Sequence, residues 1–289
     1  MTTKTSKFGV SKRESHNSSE YYKRKMSGQN PPVFESIYAD NKIPEDAVDR
    51  IFITSSRNME ELPDNSVHMM ITSPPYNVGK EYDADYSLEV YLELLTDVFT
   101  ETYRVLVNGG RVAINVANVG RKPYLPLNCY VSRIMQGIGF QMRGEIIWNK
   151  SASAGTSTAW GSWQSASNPT LRDVHEYIQV YSKGDYARKP VGKNTITKEE
   201  FLEYTKSIWT FPAASAKRIG HPAPFPCELP LRLIKLYTYE GDMVLDPFMG
   251  SGQTAIAAKS VNRRYVGYEL SQDYADLAGK RISEVVAGS

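Results

Sequence analysis

The stretch Val244-Leu245-Asp246-Pro247-Phe248-Met249-Gly250-Ser251-Gly252-Gln253-Thr254 decides how this 289-residue chain is read. Val244 and Leu245 belong to a short strand, the proline and two glycines force a tight turn, and the alanine-rich run from Ala255 to Ala258 continues as a helix. Gly250 and Gly252 let the backbone come close to a ligand, and the new helix N-terminus favours an anion such as a carboxylate or phosphate. The next strand ends in Glu269, about 20 residues on, where an acid holds ribose hydroxyls in dinucleotide folds.

A glycine loop followed by an acid admits NAD, FAD or S-adenosylmethionine. Beyond Glu269 there is sequence for about one helix, so the strands that complete the sheet must come from earlier in the chain. A nucleotide half placed last is a circular permutation of the usual order. The upstream sequence supplies the missing strands. Strands are expected at 51–54, 67–72, 111–116, 145–149 and 176–181, joining 243–246 and 265–269. Leu88, Leu92, Leu95, Phe99, Tyr103 and Leu106 form one stripe behind Ser87, which predicts a helix over 88–107 closed by Asn108-Gly109-Gly110. Further helices are expected at 125–137, 229–239, 254–261 and 273–286. The alternation predicts an α/β fold, a seven-stranded, mostly parallel Rossmann-like sheet with helices on both faces.

The strand 67–72 runs into Ser73-Pro74-Pro75-Tyr76-Asn77. Two prolines at a strand's carboxyl end stop the ladder and fix a rigid turn, at the edge where ligands bind in open α/β sheets. An isolated tetrapeptide of this kind is more often only a turn. Here it shares a chain with a cofactor-type loop, and the two would face each other across strand ends. The exocyclic amine of cytosine or adenine is conjugated into its ring, so its lone pair is a poor nucleophile toward a sulfonium methyl. Acceptors that hold both amino hydrogens turn the lone pair outward, while an aromatic face stacks on the extruded base. The Ser73 hydroxyl and the Pro74 carbonyl are the candidate acceptors, Pro75 stiffens the turn, and Tyr76 is the candidate stacking platform.

These residues resemble the motifs of amino-methylating DNA methyltransferases of restriction–modification systems, in the permuted arrangement called the beta group, over roughly residues 48–286. Residues 62–67 leading into Thr72-Ser73-Pro74-Pro75-Tyr76-Asn77 look like the catalytic motif. His221-Pro222-Ala223-Pro224-Phe225-Pro226, followed by Leu229, Leu231 and Leu233, looks like the methionine-side cofactor motif. The resemblance implies S-adenosyl-L-methionine as cofactor, held by His221, Pro222, Phe225, Asp246, Pro247, Phe248, Gly250, Ser251, Gly252, Thr254 and Glu269. Serine before Pro-Pro-Tyr is typical of N4-cytosine enzymes, aspartate or asparagine of N6-adenine enzymes, so Ser73 favours cytosine. Serine, aspartate and asparagine can all accept an amine hydrogen, and an N6-adenine or RNA-amine methyltransferase is the alternative.

The family also implies a small target-recognition insertion. Trp160-Gly161-Ser162-Trp163 and the run from Pro169 through Arg172, His175 and Glu176 resemble a segment common in the family, part of it framework. Trp160, Trp163, Arg172, Arg188, Lys189 and Lys193 are the candidate DNA contacts, with 186–206 the expected groove-contacting stretch. The chain thus divides into a basic polar arm (1–47), a catalytic half (48–150), a loop and recognition region (151–207) and a cofactor half (208–289). Implied partners are double-stranded DNA, a second copy as homodimer and a cognate restriction endonuclease acting on the same site.

Composition sets outer bounds. Hydrophobic residues make up 41% and charged residues 23%, and no apolar run reaches membrane-spanning length. A net charge of +2 does not by itself indicate a polyanionic partner. The polar N-terminus without an apolar leader and the two cysteines, Cys129 and Cys227, point to a reduced cytoplasmic protein. Lys4, Lys7, Lys12, Arg13, Lys23, Arg24 and Lys25 make the first thirty residues suited to lie along phosphates, or equally to stand as a solvated tail. His16, His68, His175 and His221 lack metal-ligand spacing, so no metal is expected. Pro226-Cys227 resembles the dipeptide of C5-cytosine methyltransferases, but it lies inside a cofactor-type motif and is read as packing. A dinucleotide oxidoreductase fits the glycine loop and not the Ser-Pro-Pro-Tyr turn. A catalytically silent DNA-binding protein is disfavoured because both halves of the chemistry look intact.

Overall fold

A computed structural model describes residues 40–76, 86–120, 122–150, 161–188, 192–220 and 224–285. Trp160, Lys189, His221, Pro222, Asn77 and the basic run of the N-terminal arm lie outside the described residues. Eight strands form one sheet among those described: β1 (Arg50–Phe52), β2 (Val67–Thr72), β3 (Leu106–Val116), β4 (Gln141–Asn149), β5 (His175–Ser182), β6 (Ile208–Thr210), β7 (Met243–Asp246) and β8 (Arg264–Tyr268). Their spatial order is β1-β8-β7-β2-β3-β5-β4-β6, and every pairing that does not involve β5 is parallel.

Helices cover both faces. On one, α1 (Leu88–Val105) and α2 (Leu127–Ile138) pack Leu95, Val98, Phe99, Val131 and Met135 against Met70, Ile114 and Leu245. On the other, α5 (Glu228–Tyr237), α6 (Gln253–Ser260) and α7 (Gln272–Ser283) pack Leu233, Ala258 and Ile282 against Met69, Ala113 and Val244. The Ser87 side chain caps α1 by accepting the Val90 N–H, and α2 stops at Gly139, which takes φ 114°.

The expected stop after α1 is not a stop. Helix passes into strand at Leu106, and Asn108-Gly109-Gly110 forms the irregular start of β3, where two steps along β2 match five along β3. Gly109 bends the chain at φ 75° and donates its N–H to Lys183 O. Leu106 and Val107 are both fully buried and satisfy a strand as well as a helical stripe. β6, α3 (Lys198–Tyr204) and α4 (Ala216–Ile219) were not expected from the sequence. β6 lengthens the sheet by setting Trp209 beside Trp148, both fully buried.

The connections place the site. From β2 the chain crosses through α1 to β3 on one side, and from β7 it crosses through α6 to β8 on the other. Because β2 and β7 are neighbours, the turns leaving their carboxyl ends diverge and open a crevice, the point at which open α/β sheets bind ligands.

Candidate active site

Both expected motifs flank that crevice. Thr72, the last residue of β2, is buried and donates its hydroxyl to Asp246 Oδ1 at 2.6 Å, which joins the Ser73 turn to the glycine loop. The Ser73 and Tyr76 hydroxyls lie 3.0 Å apart, and the Ala117 N–H, just past β3, donates to the Tyr76 oxygen at 3.3 Å. The prolines therefore fold Tyr76 back over Ser73 and stitch the turn to the neighbouring strand. Burial, with the nearby Glu176 carboxylate adding to it, holds the Tyr76 phenol well above its ordinary range, so it stays neutral.

Asp246 is the hub on the other wall. Its second oxygen accepts the Thr254 hydroxyl at 2.7 Å, and Oδ1 also accepts the Phe248 N–H at 3.1 Å. Burial lifts its carboxyl to about 7, while those three donors favour the ionised form. Gly250 turns the loop at φ 49°, and its N–H donates to Glu269 Oε2 at 2.8 Å. The other Glu269 oxygen accepts the Ser271 N–H at 2.9 Å. Each carboxylate oxygen accepts two bonds, so Glu269 keeps acceptor capacity for a diol.

Not every glycine-loop residue faces the crevice. Gly252 takes φ 82°, and a Cβ there would sit 3.0 Å from Ala278 Cβ, so this glycine lets α6 pack on α7 rather than admitting a ligand. Ser251 and Thr254 are buried, and Thr254 spends its hydroxyl on Asp246. These residues shape the cradle from behind; Pro247 is likewise buried, and Phe248 is half-buried at the rim.

Gln253 was missed in the sequence. Its Nε2 donates to Phe225 O at 2.7 Å, while its Oε1 accepts from Cys227 Sγ at 3.3 Å and from Arg281 Nη2 at 2.6 Å. Arg281 also donates to Ser251 O. One buried amide thus ties the segment before α5 to the glycine loop, and the Cys227 thiol, raised by burial, is part of that brace. The only available signal was its place after Gly252, and nothing in the sequence showed it would face inward.

Two candidate contacts in the expected groove-contacting stretch, Arg188 and Lys193, have partners within the protein. Arg188 forms a buried ion pair with Asp242 and lies over the Tyr239 ring, while Lys193 pairs with Glu240 at 3.2 Å. Arg263 donates to Thr195 Oγ1 at 2.7 Å, pinning the same segment. Asp242 and Glu240 precede β7, so Arg188 and Lys193 sit at the amino-terminal edge of the sheet, about 20 Å along the strands from the Ser73 turn. The acids that pair with Arg188 and Lys193 are distant in sequence; the Arg188 pair is buried, whereas the Lys193 side chain stays largely exposed. The loop between Asn149 and His175 instead leaves and returns at the carboxyl edge, closed where the Lys150 N–H donates to Val174 O at 2.7 Å. It carries Trp163, 65% exposed, and the exposed Arg172, three residues before β5.

Lys150 and Glu176 flank this loop. Lys150 Nζ meets Glu176 Oε1 at 2.5 Å, and Glu176 Oε2 accepts the buried Asn115 Nδ2 at 2.5 Å. Among the described residues no cluster of His, Cys, Asp and Glu is placed to hold a metal ion, and no helix is long and apolar enough to cross a membrane.

A divergent crevice between a Ser-Pro-Pro-Tyr turn and a glycine loop with its acid is the geometry to compare with known proteins. The DNA methylase family model for N6 and N4 enzymes matches residues 67–280. The chain belongs to this N6/N4 DNA methylase family. Among curated relatives of this methylase, M.MthZI, a Type II methyltransferase of Methanothermobacter thermautotrophicus, is 31% identical over 274 residues, covering 82% of this chain and 77% of its own length. M.MjaI, a Type II methyltransferase of Methanocaldococcus jannaschii, is 29% identical over 279 residues, covering 81% and 90%. Among solved structures, TTHA0409 of Thermus thermophilus, complexed with S-adenosyl-L-methionine, shares 31% identity with a TM-score of 0.67, covering 83% of this methylase and 96% of its own chain. The cytosine-N4-specific PvuII DNA methyltransferase shares the fold at 18% identity and a TM-score of 0.66, covering 83% and 87%.

Proposed function

We propose that this chain methylates N4 of cytosine in double-stranded DNA, using S-adenosyl-L-methionine, as the modification component of a restriction–modification system. The observation that carries this reading is the Ser73–Tyr76 pair at the switch point, directly across Asp246 from a glycine loop of methylase type. The crevice suits the cofactor: Gly250 turns left-handed at its rim, Glu269 retains acceptors for a ribose, and Gln253 fixes the methionine-side segment. When bound there, the cofactor supplies an electrophilic methyl group on sulfur.

The chain's own residues prepare the nucleophile. Ser73 Oγ and the Pro74 carbonyl accept the hydrogens of an exocyclic amine and turn its lone pair out of conjugation. Tyr76 keeps Ser73 in place through its hydroxyl and offers its ring to a base taken out of the stack, as the depth of the turn requires. Neither role needs an enzyme nucleophile, and Cys227, tied to Gln253 Oε1, serves structure. Trp163 and Arg172, on the carboxyl-edge loop, are the DNA contacts best placed to flank such a base. Curated Type II relatives at similar length support the modification role. Serine in place of an acid or amide before Pro-Pro-Tyr supports cytosine over adenine.

The test is methyl transfer from tritiated cofactor to mixed-sequence DNA by wild type and Ser73→Ala. The reading expects label from wild type, and at least a hundredfold slower transfer with cofactor affinity within twofold for the variant. Equal rates for the two proteins overturn the assignment of Ser73.

A further inference from the structure

Asn115, at the carboxyl end of β3, is 2% exposed, and its side-chain oxygen has no hydrogen-bond partner among the described residues. Folded proteins rarely leave a buried carbonyl unpaired, because the desolvation cost is not recovered. The amide cannot reverse to relieve this: Glu176 Oε2 accepts Nδ2, and reversal would set oxygen against a carboxylate. Glu176 is itself fixed, since Lys150 Nζ holds its other oxygen. Two charged side chains therefore act to keep one neutral acceptor pointed one way.

The direction follows from the sheet. Glu176 lies on β5, on one side of β3, so the other arm of the amide turns away from β5, and β2 is the strand on β3's far side. Thr72 pairs with Ile114, which brings Ser73 and Asn115 level. Ile71 and Ala113 pack in the same cluster, and strand alternation puts Ser73 and Asn115 on that same face.

We propose that Asn115 Oδ1 accepts a hydrogen from the exocyclic amine of the target base, beside Ser73, and that Glu176 and Lys150 are positioning residues that aim it. The inference rests on the methyltransferase reading above and adds a residue to it. Ser73 shares its hydroxyl with Tyr76, whereas Oδ1 has no competing donor among the described residues; it is closed to solvent, so the incoming base displaces what covers it. Oδ1 also discriminates: thymine presents a carbonyl where cytosine presents an amine, and two acceptors would face each other.

The experiment measures single-turnover methyl transfer at saturating tritiated cofactor and mixed-sequence DNA, per cofactor-binding molecule counted by calorimetry. Asn115→Ala is expected to slow transfer roughly 10- to 100-fold, the scale of one transition-state hydrogen bond, with cofactor affinity within twofold. In Glu176→Gln, Lys150 takes the one remaining oxygen, the new amide nitrogen faces Asn115, and the asparagine turns over. A similar loss is expected, and the double variant should be no slower than either single one. A purely structural role lowers melting temperature and leaves the rate per competent molecule unchanged. Asn115→Ala within twofold of wild type, or two losses that multiply in the double variant, overturns the proposal. If Asn115→Ala does not bind cofactor, Glu176→Gln decides alone, and a wild-type rate in it overturns the proposal. Wild type that transfers no label to DNA overturns the methyltransferase reading instead.

Discussion

Thr72 donates to Asp246 at 2.6 Å across 174 residues of sequence, and this single buried bond joins the end of β2 to the start of the glycine loop. The two halves of the site are thereby held in one register, although the chain has crossed the sheet several times between them.

Thr72→Val keeps the shape of the side chain and removes the donor. Loss of a buried bond to a charged group costs about 1.5–3 kcal/mol. Urea unfolding should show a loss of that size together with weaker cofactor binding. Unchanged stability and affinity would mean that the bond does not couple the two motifs.

The Asp246 carboxyl titrates near 3.8 when unfolded and is lifted to about 7 by burial in the fold. Between those values the folded protein holds a proton that the unfolded chain has released, so this group makes stability fall as pH rises, by at most about 1.4 kcal/mol per pH unit, and no further above 7. Asp246→Asn removes the titration. Its unfolding free energy relative to wild type should improve steadily from pH 5 to 7 and then level off; a difference that is flat over that range contradicts the expectation.

Tyr76→Phe retains the ring and removes the hydroxyl that bridges Ser73 and the Ala117 N–H. Methyl transfer should slow by about tenfold, the worth of one positioning hydrogen bond, while cofactor affinity stays within twofold. Tyr76→Ala, losing the stacking face as well, should be slower still. Equal rates for Tyr76→Phe and wild type would remove the hydroxyl from the account.

Arg188→Ala leaves Asp242 buried without its cation. Breaking a buried pair from one side costs about 3–5 kcal/mol, so thermal unfolding should shift well down while the salt dependence of DNA binding is unchanged. A shallower salt slope with unaltered stability would return Arg188 to the DNA interface.

The fold was legible in the sequence where patterns were local. Strands β2 and β7 were placed to the residue, because each is a short apolar run bounded by proline or glycine. β6 was not, since three residues carry no periodicity and Trp209 finds its reason only beside Trp148. The places of Ser73, Tyr76 and Glu269 beside the crevice were legible because turns and spacings fix them. Gln253, Asn115 and Arg188 were not, because their roles depend on partners 28, 61 and 54 residues away. Charge alone did not show that Arg188 and Lys193 have acidic partners, Asp242 and Glu240, about fifty residues on.

The central claim is direct methylation of a cytosine amine, and the identity of the labelled nucleoside tests it most directly. DNA labelled by the wild-type protein from tritiated S-adenosyl-L-methionine is hydrolysed and its nucleosides are separated. N4-methylcytosine is the expected product. Label in N6-methyladenine would contradict the reading of Ser73 as a cytosine signal, and label in 5-methylcytosine would contradict the amine mechanism itself.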